Sequence, residues 1–149
     1  MITDLSVHAV HQGGMRVQAG SKDHHVLMDY PLQPGEAGAG MTPLQILLAS
    51  LAACSANSVM LILKKMNQAV KGLKVEAHAT RRREHPTVLT EISLEFTVKG
   101  PVVPDAVARA IKASEERLCP VWNMLKGNTP IRASFHVDNL VSEQSAVPN

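Results

Sequence analysis

The spacing of apolar residues switches between a period of two and a helical period, and the switches divide the chain into elements. Leu5, Val7 and Ala9 fall on alternate positions, so residues 5–10 are predicted to form a strand. His11-Gln12-Gly13-Gly14 signals a turn, Met15 to Ala19 resumes the extended pattern, and Gly20 to Asp23 turns again. His24 to Tyr30 makes a third strand, ended by Pro31, and completes an antiparallel meander. Gln33 to Met41, with Pro34, Gly35, Gly38 and Gly40, is a loop.

Thr42-Pro43-Leu44-Gln45 then opens a helix. Thr42 suits the cap, Pro43 the first helical position, and Gln45 completes a capping box. This helix is predicted to run to about Gln68, with Lys64 and Lys65 favoured near its end by the helix dipole and Gly72 marking the exit. Leu73 to Ala79 and Val88 to Val98 alternate again, joined by a polar hairpin connection over Arg81 to Pro86. Pro104-Asp105 starts a second helix running to about Arg117. Cys119-Pro120 begins a short third helix through Met124, and Ile131 to Val137 is the last strand. The polar tail from Ser142 to Asn149 is expected to fray.

The order βββ-α-ββ-αα-β implies an α+β fold rather than a doubly wound one, and no glycine-rich phosphate loop follows a strand and opens a helix. A length of 149 residues suggests one domain, 1–149, able to bury a core without disulfides. The apolar run from Leu44 to Leu63 is long enough to raise the question of a membrane span. Gln45, Ser50, Ser55, Asn57 and Ser58 interrupt it, so it is read as a central helix buried in a core, with no membrane partner.

Net charge of +2 and 3% aromatic residues argue against nucleic acid as a partner. The N-terminus Met1-Ile2-Thr3-Asp4-Leu5 lacks the basic flank and apolar stretch of a secretory signal, so a reducing, cytoplasmic setting is expected. In that setting the two cysteines are inert, metal-binding or redox-active. Metal spacing is poor: His24 and His25 are adjacent on a strand and point to opposite faces, and no Cys-x-x-Cys or His-x-x-x-His pair exists.

Cys54 lies in the middle of the long helix among Ala49, Ser50, Ala52, Ala53, Ser55 and Ala56, with Ser50 and Ser58 on its own face at four-residue spacing. It reads either as a small core hydrophobe or as a thiol that a substrate can reach. Cys119 precedes Pro120, which would place it at a helix N-cap where backbone N–H groups stabilise a thiolate. A reactive thiolate usually has a cationic neighbour; Arg16, Arg117 and the run Arg81-Arg82-Arg83 are the candidates, the last read as a solvated hairpin tip.

The stretch Met41-Thr42-Pro43-Leu44-Gln45-Ile46-Leu47-Leu48-Ala49-Ser50-Leu51-Ala52-Ala53-Cys54, followed by Glu116-Arg117-Leu118-Cys119-Pro120-Val121, resembles the OsmC/Ohr family of osmotically inducible and organic hydroperoxide resistance proteins. The likeness extends over nearly the whole chain. It implies an intertwined homodimer in which antiparallel sheets pack around two long central helices, with active sites at the subunit interface. It also implies that Cys54 attacks the peroxide O–O bond, that Cys119 resolves the resulting sulfenic acid as a disulfide, and that a dihydrolipoyl-type thiol resets the pair. No metal or organic cofactor takes part. One departure stands out: the family peroxidases carry a glutamate in the first turn of the helix, orienting an arginine beside the thiolate, where this chain has Gln45. Gln45 can accept a hydrogen bond but cannot form a charged clamp, and Arg16 is the matching arginine. Modest thiol peroxidase activity is the expectation. The alternative is a non-catalytic dimer that binds a small apolar or thiol-bearing ligand in the interfacial pocket.

Overall fold

The computed structural model describes residues 2–139, so the tail from Ser142 to Asn149 lies outside the described residues. The chain divides into two compact units, Met1–Leu47 and Leu48–Asn149. In the first, β1 (His8–His11), β2 (Val17–Ser21) and β3 (His24–Met28) form an antiparallel sheet in that order. β1 is shorter than the alternation of Leu5, Val7 and Ala9 suggests. It pairs with β2 from His8↔Gly20 to His11↔Val17, and β2 ends one residue after Gly20, so the chain before His8 has almost no ladder to join.

Beyond β3, Asp29 N–H donates to Met41 O at 3.2 Å, which folds the glycine-rich loop back along the strand. Gly40 makes that approach possible, since a Cβ there would collide with the Leu27 carbonyl. The apolar residues of this unit are largely uncovered: Val10, Val26, Leu27, Leu32 and Met41 are exposed.

Helix α1 (Pro43–Lys65) begins where the capping box predicted. Thr42 N–H donates to Gln45 Oε1 at 2.9 Å, and Gln45 N–H donates to Thr42 Oγ1 at 3.2 Å. It stops short of Gln68 because Asn67 takes a left-handed conformation (φ 56°). Asn67 N–H then reaches Lys64 O while Gln68 N–H reaches Leu63 O, a Schellman closure of the last turn. The expectation of a wholly buried helix is met on one stripe only: Leu51, Ser55, Ser58, Val59 and Leu63 are buried, whereas Leu47 and Leu61 are exposed. By length and composition alone α1 also qualifies as a candidate membrane span.

In the second unit β4 (Gly72–Arg81) and β5 (Leu89–Lys99) form an antiparallel hairpin, and β6 (Ile131–Asp138) lies beside β5 in parallel. The expected antiparallel pairing holds in the first sheet and in this hairpin, while β6 makes the second sheet mixed. The chain leaves β5 through two helices before returning, a crossover long enough to bring β6 back in the same direction. Ile92, Leu94, Phe96 and Val98 of β5 face inward. They join Leu51, Val59 and Leu63 of α1 and Val107, Ala110 and Ile111 of helix α2 (Pro104–Ala113) in one core. The helix predicted to reach Arg117 changes register at Ser114: residues Ser114–Leu118 form a single π-helical turn. Cys119 follows in extended conformation (φ −84°, ψ 104°), and α3 (Pro120–Leu125) starts immediately after it.

Candidate functional site

The core of the second unit brings the two cysteines together. Cys54 comes from the middle of α1 and Cys119 from the N-cap of α3, sixty-five positions downstream, and Cys119 lies near enough to act on the Cys54 thiol. Both are free thiols. Cys119 is fully buried, while Cys54 is partly open.

Cys119 is held on every side. Its N–H donates to Ser114 O at 3.0 Å, the open end of the π-turn, and its carbonyl accepts from Asn123 N–H at 3.0 Å and from Asn123 Nδ2 at 2.9 Å. Its sulfur accepts from Trp122 N–H at 3.4 Å, as an N-cap side chain does from the third helical residue. The hydroxyl of Ser55, also fully buried, stands 3.6 Å from the same sulfur.

The Cys54 thiol is pushed above its ordinary value. Burial is the largest cause and the adjoining Cys119 acts in the same direction, while the Val121 N–H, which can donate to a thiolate at Cys54, pulls the other way. No guanidinium of this unit's described residues figures among these influences.

The remaining candidates sit as follows. Ser58 points its hydroxyl back to the Cys54 carbonyl at 3.0 Å instead of toward the sulfur, and Ser50 is exposed. Gln45 uses its side-chain oxygen on Thr42 N–H at the helix start. Arg16 lies one residue before β2 and not within a strand. Its Nε is 3.6 Å from Asp29 Oδ2, an oxygen that also accepts from Ala39 N–H at 2.9 Å. Arg16 and Asp29 line an open recess of about 470 Å³ in the first unit, together with Gln12, Tyr30, Leu32 and Glu36. Arg81 and Arg82 stitch their own hairpin, to Thr87 O at 2.9 Å and to His85 O at 2.9 Å respectively.

Two features escaped the sequence. Four-residue spacing selects Ser50 and Ser58, on the face shared with Cys54, and does not single out Ser55. The step of about 100° from Cys54 to Ser55 instead aims Ser55 at the chain segment that returns from β5. Cross-strand pairing also gathers Glu76, His78 and Glu95, whose donor atoms lie within 4.8 Å of one another on the exposed face of the sheet. Lys74 Nζ already occupies Glu76 Oε1 at 2.6 Å and lowers that carboxyl's pKa.

Comparison with known proteins places this geometry in context. The sequence profile described as OsmC-like protein matches residues 35–134. Protein YhfA of Escherichia coli strain K12 is 37% identical over 116 residues, covering 76% of this chain and 83% of that protein. Among solved structures, a hypothetical protein from Aquifex aeolicus VF5 superimposes with a TM-score of 0.83 at 27% identity, over 92% of this chain and 98% of that one. The organic hydroperoxide resistance protein OhrB of Bacillus subtilis shares the fold, with a TM-score of 0.66 at 19% identity over 88% and 96% of the respective chains.

Proposed function

This chain belongs to the OsmC-like protein family, and from that membership we propose that it is a thiol peroxidase that reduces organic hydroperoxides with Cys54 and Cys119. The observation that carries the reading is that Ser55, next to Cys54 on α1, stands 3.6 Å from the Cys119 sulfur, which brings two thiols remote in sequence close together at the N-cap of α3. Cys54 is the peroxidatic residue because it is the more open of the two. Its thiolate attacks one peroxide oxygen, the O–O bond breaks, and the alkoxide takes up a proton to leave as an alcohol, with Cys54 oxidised to the sulfenic acid. Cys119 then attacks that sulfur. The S–S bond forms, the S–O bond breaks, and hydroxide leaves with the thiol proton as water. Two thiols of a dihydrolipoyl-type reductant regenerate the pair and become a disulfide themselves. Each turnover converts one hydroperoxide and two reductant thiols into an alcohol, water and a disulfide.

The raised thiol pKa of Cys54 keeps most of it protonated at neutral pH, which makes the first step slow. Gln45, tied into the helix cap, supplies no carboxylate to orient an arginine. Arg16 is the arginine we assign to this role in the assembled protein. A homodimer gives that assembly a reason to form: the uncovered Leu47 and Leu61 on α1 and Val10, Val26 and Leu27 on the N-terminal strands are apolar surface that a second copy would cover. The cytoplasm, with its reducing poise, suits a resting dithiol.

Steady-state turnover of cumene hydroperoxide with dihydrolipoamide tests the proposal: Cys54→Ser abolishes turnover, and unchanged turnover in that variant refutes it. The raised Cys54 pKa favours a second reading, a non-catalytic dimer that binds a small apolar or thiol-bearing ligand. Wild-type protein that consumes no peroxide, with a Cys54 that resists alkylation, selects that reading.

A further inference from the structure

The mechanism above leaves Ser55 without a role, yet its surroundings are specific. A serine inside a helix ordinarily turns its hydroxyl back to the carbonyl one turn earlier, as Ser58 does to Cys54 O. Ser55 instead directs its hydroxyl across to Cys119 Sγ, 3.6 Å away, in a contact where both residues are fully buried. The Trp122 N–H reaches the same sulfur from the opposite element at 3.4 Å. The Cys119 backbone is fixed by Ser114 O and by the two donors of Asn123, so only its side-chain torsion is left to settle.

We propose that Ser55 is the positioning residue for disulfide closure: its hydroxyl holds the Cys119 sulfur against Cys54 and donates to it once it is ionised. The inference rests on the two-cysteine reading and deepens it. A thiolate has no proton to offer, so in the attacking state the hydrogen bond runs from Ser55 Oγ to Cys119 Sγ. The Trp122 N–H is the other donor. Because Ser55 immediately follows Cys54 on the same helix, the hydroxyl ties the position of the attacking sulfur to that of its target. Closure requires the incoming sulfur to lie in line with the breaking S–O bond, an alignment that one fixed side-chain torsion provides. The first step, Cys54 on peroxide, makes no use of the hydroxyl.

The test separates the two steps. Reduced protein is mixed with one equivalent of cumene hydroperoxide, and the sulfenic acid (as its dimedone adduct) and the Cys54–Cys119 disulfide are followed by mass spectrometry. In Ser55→Ala, sulfenic acid forms at the wild-type rate. Disulfide closure slows by about tenfold to a hundredfold, the range for losing one hydrogen bond to a charged group, and the sulfenic acid accumulates. Ser55→Thr restores closure, whereas Ser58→Ala, which removes a nearby serine hydroxyl that touches neither sulfur, leaves it at the wild-type rate.

A second probe is independent of peroxide. Ellman's reagent forms a mixed disulfide on Cys54 with release of one thionitrobenzoate. Attack by Cys119 then forms the same protein disulfide and releases the second. Delayed second release in Ser55→Ala supports the inference even if the protein proves not to reduce peroxides, which would refute the peroxidase reading alone. Second release at the wild-type rate overturns the role of Ser55 whatever the peroxide assay gives.

Discussion

Replacing Gln45 by glutamate probes the start of α1 and the family departure in one substitution. Gln45 Oε1 accepts from Thr42 N–H at 2.9 Å, and the first turn of α1 holds no acidic residue, while Lys64 and Lys65 already complement the dipole at the other end. A carboxylate in the same place keeps the acceptor and adds a negative charge beside the positive end of the helix. The dipole term contributes about 0.3–1 kcal/mol. Hydrogen bonds to an ionised acceptor are about twice as strong as neutral ones, which adds roughly another 0.5–1 kcal/mol. Gln45 is exposed, so screening by solvent takes back part of both, leaving a net gain of about 1 kcal/mol. For a chain of this size that is an increase of about 2–4 °C in Tm.

The sign follows from the charged form being the one the helix start favours. The gain is therefore present at neutral pH and lost as pH falls and the carboxyl protonates, and it shrinks in molar salt. Thermal unfolding of both proteins by circular dichroism at pH 7 and pH 3, in low and high salt, measures it. A Tm that is unchanged or lower at pH 7, or a gain that persists at pH 3, would refute the capping-box account. Hydroperoxide turnover measured on the same samples reports separately on the charged clamp. On the family reading kcat/KM rises in Gln45→Glu, and an unaltered kcat/KM shows that the arginine is oriented without it.

Two further outcomes follow from the same structure. Because the neutral thiol of Cys54 is favoured, its thiolate grows in only on the alkaline side, so the rate of alkylation by iodoacetamide rises about tenfold per pH unit through neutrality. A titration midpoint below the free-thiol value of about 8.5 would contradict this and call for a cation beside the sulfur. Ser114 Oγ is buried with no hydrogen-bond partner among the described residues. Ser114→Ala should therefore leave stability unchanged or raise it by about 1 kcal/mol in urea unfolding, and a loss above about 2 kcal/mol would show that the hydroxyl is satisfied.

Local chemistry makes some of this architecture legible in the sequence alone. Thr42, Pro43 and Gln45 announce a helix start because capping involves residues only three apart, and Pro120 announces that Cys119 is an N-cap for the same reason. The alternation of Ile92, Leu94, Phe96 and Val98 marks a strand with one buried face because side-chain direction along a strand is a local property. The π-turn at Ser114–Leu118 was not legible. It repeats the composition of an ordinary helix, and the extra residue it accommodates matters only for where Cys119 must arrive.

By itself, then, the sequence determined the element order, the helix caps and the two sulfur-bearing residues, each written into spacings of a few positions. Tertiary structure alone decided that β6 runs parallel to β5, that Cys54 and Cys119 meet, and that Ser55 rather than Ser50 or Ser58 faces the second sulfur. Those outcomes depend on how far and in which direction the chain travels between elements. Burial that raises the Cys54 pKa likewise comes from residues remote in sequence, packed around the sulfur only once the fold has closed.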